Sequence, residues 1–125
     1  MAPMSKMLVT GEDVAAVAVY VSSLKPKTIE HNIAEGDRQK GQELYKVSCI
    51  ACHGDKAQGK EGVKSPILTG RNDWYMRTQI KKFRTNIRGS HPEDFTGVTM
   101  RPMAMTLKTD GAINGVIAYI KTLAE

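Results

Sequence analysis

An all-α fold is predicted for this chain of 125 residues, on three observations. Four segments carry apolar residues at helical spacing. No segment alternates in the manner of a half-buried strand. The two cysteines stand together with a histidine in Cys49-Ile50-Ala51-Cys52-His53, a run short enough to form one helical turn.

The first helix is expected over Gly11 to Leu24. Val14, Val17, Ala18 and Val21 recur on one face, and Val19 and Tyr20 widen the stripe. Thr10 with Asp13 three residues on forms a capping arrangement, and Pro26 stops the helix. The second runs from Asp37 to Cys49, with Leu44, Val47 and Ser48 sharing a face with Gly41. The third runs from Asn72 to Ile87, capped by Asn72 or Asp73. Its stripe is Met76, Ile80, Phe83 and Ile87. The fourth runs from Asp110 to Leu123, with Ile113, Val116, Ile117 and Ile120 as its apolar face. The stretches between, 25–36, 54–70 and 89–107, read as loops. They are long for a compact domain unless something else packs against them.

Composition narrows the function. The apolar share of 41% and the charged share of 25% are those of a soluble globular protein. No apolar run approaches the ~18 residues of a membrane span. Two cysteines are too few for a disulfide scaffold or for a cysteine-only zinc or iron–sulfur site. A net charge of +5 is too weak to argue for nucleic acid, and it favours an acidic partner surface. Aromatic residues are only 6%, which leaves the middle of the core to be filled by another group.

The cysteine motif is C-x-x-C-H, the attachment sequence of c-type haem. Two thiols add across the haem vinyl groups as thioethers, and the adjacent histidine supplies an axial imidazole. A thioredoxin-like dithiol needs a βαβ setting that is absent from the pattern. A zinc site needs a second ligand pair at zinc spacing, and His31 and His91 stand alone.

These residues resemble class I cytochrome c over 36–125. Gly41-Gln42-Glu43-Leu44-Tyr45 precedes the motif and Gly54. Ser65-Pro66-Ile67-Leu68-Thr69-Gly70 follows, then the helix from Trp74 to Arg84, a methionine-bearing loop, and Ala118-Tyr119-Ile120 in the last helix. The Pro-x-Leu-x-Gly loop and the Gln-x-x-x-Phe helix look most like the two-domain, dihaem branch. The resemblance implies one covalent haem c per chain. It also implies a crossing of first and last helices near Gly41 and Tyr119, and a Pro66 carbonyl that accepts the Nδ1 hydrogen of His53. It implies a distal methionine too. The family pattern Met-x-x-x-Ala-x-x-Leu fits Met100 through Leu107 with Met100 as ligand. Met103 is the rival, and Met105 reads as packing. The stretch from Leu107 to Ile113 is one residue longer than the family's usual spacing.

Residues 1–24 are surplus to that domain, and 25–35 read as a linker. Met1-Ala2-Pro3-Met4 to Leu24 aligns without gaps on Met100-Arg101-Pro102-Met103 to Leu123, with eight of 24 positions identical. The segment resembles the distal loop and last helix of a preceding cytochrome domain. Three origins are open: part of a dihaem protein, a partial duplication packed on its own domain, or a segment that completes a neighbouring subunit. In the last, Met1 ligates a neighbour's iron. Glu12 and Asp13 ahead of Val14 speak against a signal peptide.

The expected function is single-electron transfer between periplasmic or extracellular redox partners, since the family's haem is attached outside the bacterial cytoplasm. Residues 36–125 carry 15 basic and nine acidic residues, a net of +6. Arg77, Lys81, Lys82, Arg84 and Arg88 form a stretch without an acid. It reads either as a solvated helix face or as a docking face for an acidic oxidase or reductase. The alternatives are a haem peroxidase or small-molecule-binding protein with a labile sixth ligand, and a subunit of a haem-bearing assembly joined through residues 1–24.

Overall fold

The computed structural model describes residues 2–25 and 36–123. Met1 and nearly all of the expected linker lie outside the described residues. Seven helices follow in order among them: α1 (Ala2–Ser5), α2 (Gly11–Ser23), α3 (Arg38–Ser48), α4 (Ile50–His53), α5 (Asp73–Arg84), α6 (Phe95–Thr106) and α7 (Asp110–Thr122). A 3-10 turn lies at Glu61–Val63. Beyond an isolated bridge between Lys60 and Ser65, the described residues make no strand pairing.

The helices begin where short polar side chains relieve orphan backbone amides. Asp37 accepts from Lys40 N at 3.1 Å, Asp94 from Gly97 N at 2.8 Å, and Thr109 from Ala112 N at 3.1 Å. Thr10 and Asp13 form the expected reciprocal capping box at the head of α2. Asn72 heads α5 but makes no side-chain cap; Asp73 Oδ1 accepts from the Trp74 amide at 2.7 Å.

The core forms where α7 lies on α3, with α5 closing against α7 and α6 against α5. Ile113, Val116, Ile117 and Ile120 of α7 are all buried, as their spacing predicts. Tyr45, Met76 and Leu107 join them. At the crossing, a Cβ on Gly41 would collide with the backbone carbonyl of Gly115. Two glycines thus let the helices touch backbone to backbone. Tyr119 sits one turn beyond Gly115, its ring 5.4 Å from that of Tyr45. The crossing thus lies near Gly41 and Tyr119 as expected, with Gly115 the residue that Gly41 meets.

Three expectations need correction. The methionine-bearing stretch is a helix, α6, rather than a loop. Asp94 caps it, and Gly89, at φ +72°, brings the preceding chain against Gly97. Pro102 lies inside α6 and costs it a backbone bond without ending it. Val47 is 84% exposed, because the buried face of α3 follows Gly41 and Tyr45. Ile87 is 68% exposed, because α5 ends at Arg84 and Asn86 turns into the left-handed region.

Candidate functional site

The motif lies at a break between two helices. α3 ends at Cys49, which leaves helical geometry at φ −122° and opens α4. Amides of Cys52 and His53 both return to the Cys49 carbonyl, at 3.2 and 2.8 Å. Cys49, Cys52 and His53 are thereby presented from one turn. Gly54 takes a φ of +84°, which lets the chain leave without steric cost.

Two buried contacts fix that turn. The Tyr45 hydroxyl donates to the Gly54 carbonyl at 2.6 Å. Burial pushes that phenol up to about 12, so its proton stays available as a donor. The Ser65 hydroxyl donates to the Cys52 carbonyl. Neither residue stands out in the sequence as part of the site. Tyr45 is one turn ahead of Cys49, and Ser65 adjoins Pro66, but no pattern marks their roles.

The loop after the motif folds back on it. His53 O accepts from Gly59 N at 2.9 Å, and Ala57 O accepts from Leu68 N at 2.8 Å. This return places the Pro66 carbonyl 3.0 Å from His53 Nδ1. A carbonyl only accepts, so Nδ1 carries the hydrogen and Nε2 keeps its lone pair for a metal. His53 is 5% exposed, and burial holds its pKa below the usual imidazole value. The neutral, ligating form is the one favoured.

Both cysteines are free and half-buried. Burial, with Cys52 beside it, pushes the Cys49 thiol up to about 11. That is opposite to the lowered thiol of a disulfide-exchange site. Among the described residues no group of three or more His, Cys, Asp or Glu side chains converges to hold a metal ion. The residues present therefore fit a haem attached through two thioethers at Cys49 and Cys52 and ligated by His53.

On α6, Met100 is half-buried, whereas Met103 and Met105 are 37% and 53% exposed. The basic stretch is largely engaged within the molecule. Arg77 and Lys81 donate to Asp110 at the head of α7, at 2.9 and 2.7 Å. Arg84 donates to the Lys108 carbonyl. Arg88 reaches Gln79 and lies 4.7 Å over the Phe83 ring. Arg77, Lys81 and Arg84 thereby fasten α5 to the head of α7.

A helical fold closed around a C-x-x-C-H turn with an oriented histidine defines a covalent-haem protein. The chain belongs to the cytochrome c family, whose profile, described as "Cytochrome c", matches residues 38–124. It is 34% identical over 59 residues to the cbb3-type cytochrome c oxidase subunit FixP of Bradyrhizobium diazoefficiens, 47% of this chain and 19% of that protein. It is 34% identical over 67 residues to cytochrome c-551 of Bacillus subtilis, 54% of this chain and 57% of that protein. The chain thus spans less than two thirds of either relative. Membership assigns it a covalent haem c and places it among electron-transport proteins.

Proposed function

We propose that the chain is a one-electron carrier whose haem iron is held between His53 Nε2 and Met100 Sδ. The His53–Pro66 hydrogen bond carries the reading, because it leaves a single ring nitrogen free in a buried site. Bound at Cys49 and Cys52, the haem supplies the Fe(III)/Fe(II) couple. The protein's part is to hold the ligands still. Pro66 fixes the imidazole, Tyr45 and Ser65 fix the attachment turn, and a thioether from α6 favours the reduced iron. Held by His53 and Met100 together, the iron would leave no open position for a substrate, which suits a carrier and not a peroxidase.

Met100 is chosen over Met103 because it fits the family spacing and is the less exposed of the two. The Met100→Ala holoprotein is expected to lose the weak far-red band of sulfur–Fe(III) ligation and to bind carbon monoxide when reduced. Met103→Ala is expected to keep the band. The reverse pattern would transfer the role to Met103.

The positive net charge suits an acidic-surfaced oxidase or reductase, in keeping with the oxidase-subunit relative. The reaction is assigned to a periplasmic or extracellular setting, where such haem is attached.

A further inference from the structure

Helix α2 is built to be buried, yet every described residue of it is exposed. Its Val14, Val17 and Val21 are 51%, 44% and 57% exposed. Their counterparts in the repeat, Ile113, Val116 and Ile120, are at most 3% exposed.

The two helices match in detail. Each has 13 residues, begins after a threonine cap and ends before a leucine, and all boundaries are offset by 99 positions. The buried arc of α7 is Ile113, Gly115, Val116, Ile117, Ala118 and Ile120. The same positions in α2 are Val14, Ala16, Val17, Ala18, Val19 and Val21, all apolar. Glu12, Asp13, Ser22 and Ser23 fall where α7 is not buried. A six-position arc is wider than the strip two crossing helices cover. α7 satisfies its arc by sitting on α3, against α5, at the head of a haem module.

We propose that α2 closes a second c-type haem module, built like residues 36–99 and lacking a last helix of its own. The inference goes beyond the electron-carrier reading and does not depend on which methionine ligates the first iron. The spacing fits it: the two copies stand 99 residues apart, and one complete haem-binding module follows the first copy and ends with the second.

Other occupants fit less well. In a second copy of this chain, α3 is already covered by α7. A lipid surface is disfavoured because α2 carries acidic residues and no Lys or Arg. At 13 residues, α2 is also about 20 Å long, short of a bilayer core.

The test uses the protein purified undenatured from its native source. Haem is counted against the peptide containing Cys49 to His53, and amide exchange is followed in α2 and α7. The proposal expects two haems per copy of that peptide, with α2 amides protected like those of α7. It also expects Val17→Asp with Val21→Asp to lower the melting of one haem and leave that of the other in place. A count of one haem per copy overturns it, even if α2 is protected, because a second copy or a haem-free protein then covers the helix. Two haems with freely exchanging α2 amides overturn it equally.

Discussion

A hydroxyl and a carboxylate decide much at the residue scale. The Tyr45 phenol meets the Gly54 carbonyl in a buried place. Tyr45→Phe removes that bond and leaves the carbonyl only the longer one from the Ala57 amide, at a cost of about 0.5–1.5 kcal/mol. Denaturant unfolding of the holoprotein should show this as a lower midpoint with an unchanged slope. Asp110 gives the pH dependence. Hydrogen bonds from Lys81 and Arg77 hold its carboxyl below the ordinary value of 3.8. A carboxylate depressed on folding adds stability above its unfolded value, and loses that stability as pH falls through the lowered one. Melting temperature is therefore expected to drop below pH 3.8 more steeply in the parent than in Asp110→Asn. Equal slopes would show that the α5–α7 fastening contributes nothing.

Glycine sets the geometry at the scale of elements. α3 and α7 approach until Gly41 meets the Gly115 backbone. Gly41→Ala must push the helices apart, and overpacking of this kind costs about 1–3 kcal/mol. The separation disturbs Tyr45 one turn on, so reduced haem loading is expected along with a lowered melting temperature. The same helices show what a sequence carries and what it conceals. The α7 face was legible because Ile113, Val116, Ile117 and Ile120 repeat at helical spacing and all point into one core. The haem turn was legible because its chemistry demands a fixed spacing of Cys49, Cys52 and His53. α6 was not legible. Its helix depends on Asp94 as a cap and on packing against α5, and both outweigh Gly97 and Pro102. Val47 misled because a three-residue spacing from Leu44 does not say which arc of α3 faces the core. Tyr45 and Ser65 act through hydrogen bonds to carbonyls distant in sequence, which leave no periodic trace.

At the scale of the whole molecule, the thin aromatic content and the long connections have a common cause, since the core is arranged around a prosthetic group. Arg77, Lys81 and Arg84 of α5 make internal contacts, and the net positive charge of the chain is what steers an acidic partner. Electron transfer to an acidic partner is expected to slow as ionic strength rises. The central claim is that Cys49, Cys52, His53 and a methionine make a closed one-electron centre. Spectroelectrochemical titration of the recombinant holoprotein tests it most directly, with carbon monoxide added to the reduced form. The account predicts one reversible one-electron transition, a far-red sulfur–iron band in the oxidised state, and no carbon monoxide adduct. Rapid carbon monoxide binding with no such band would contradict it and place an open, reactive iron in this fold.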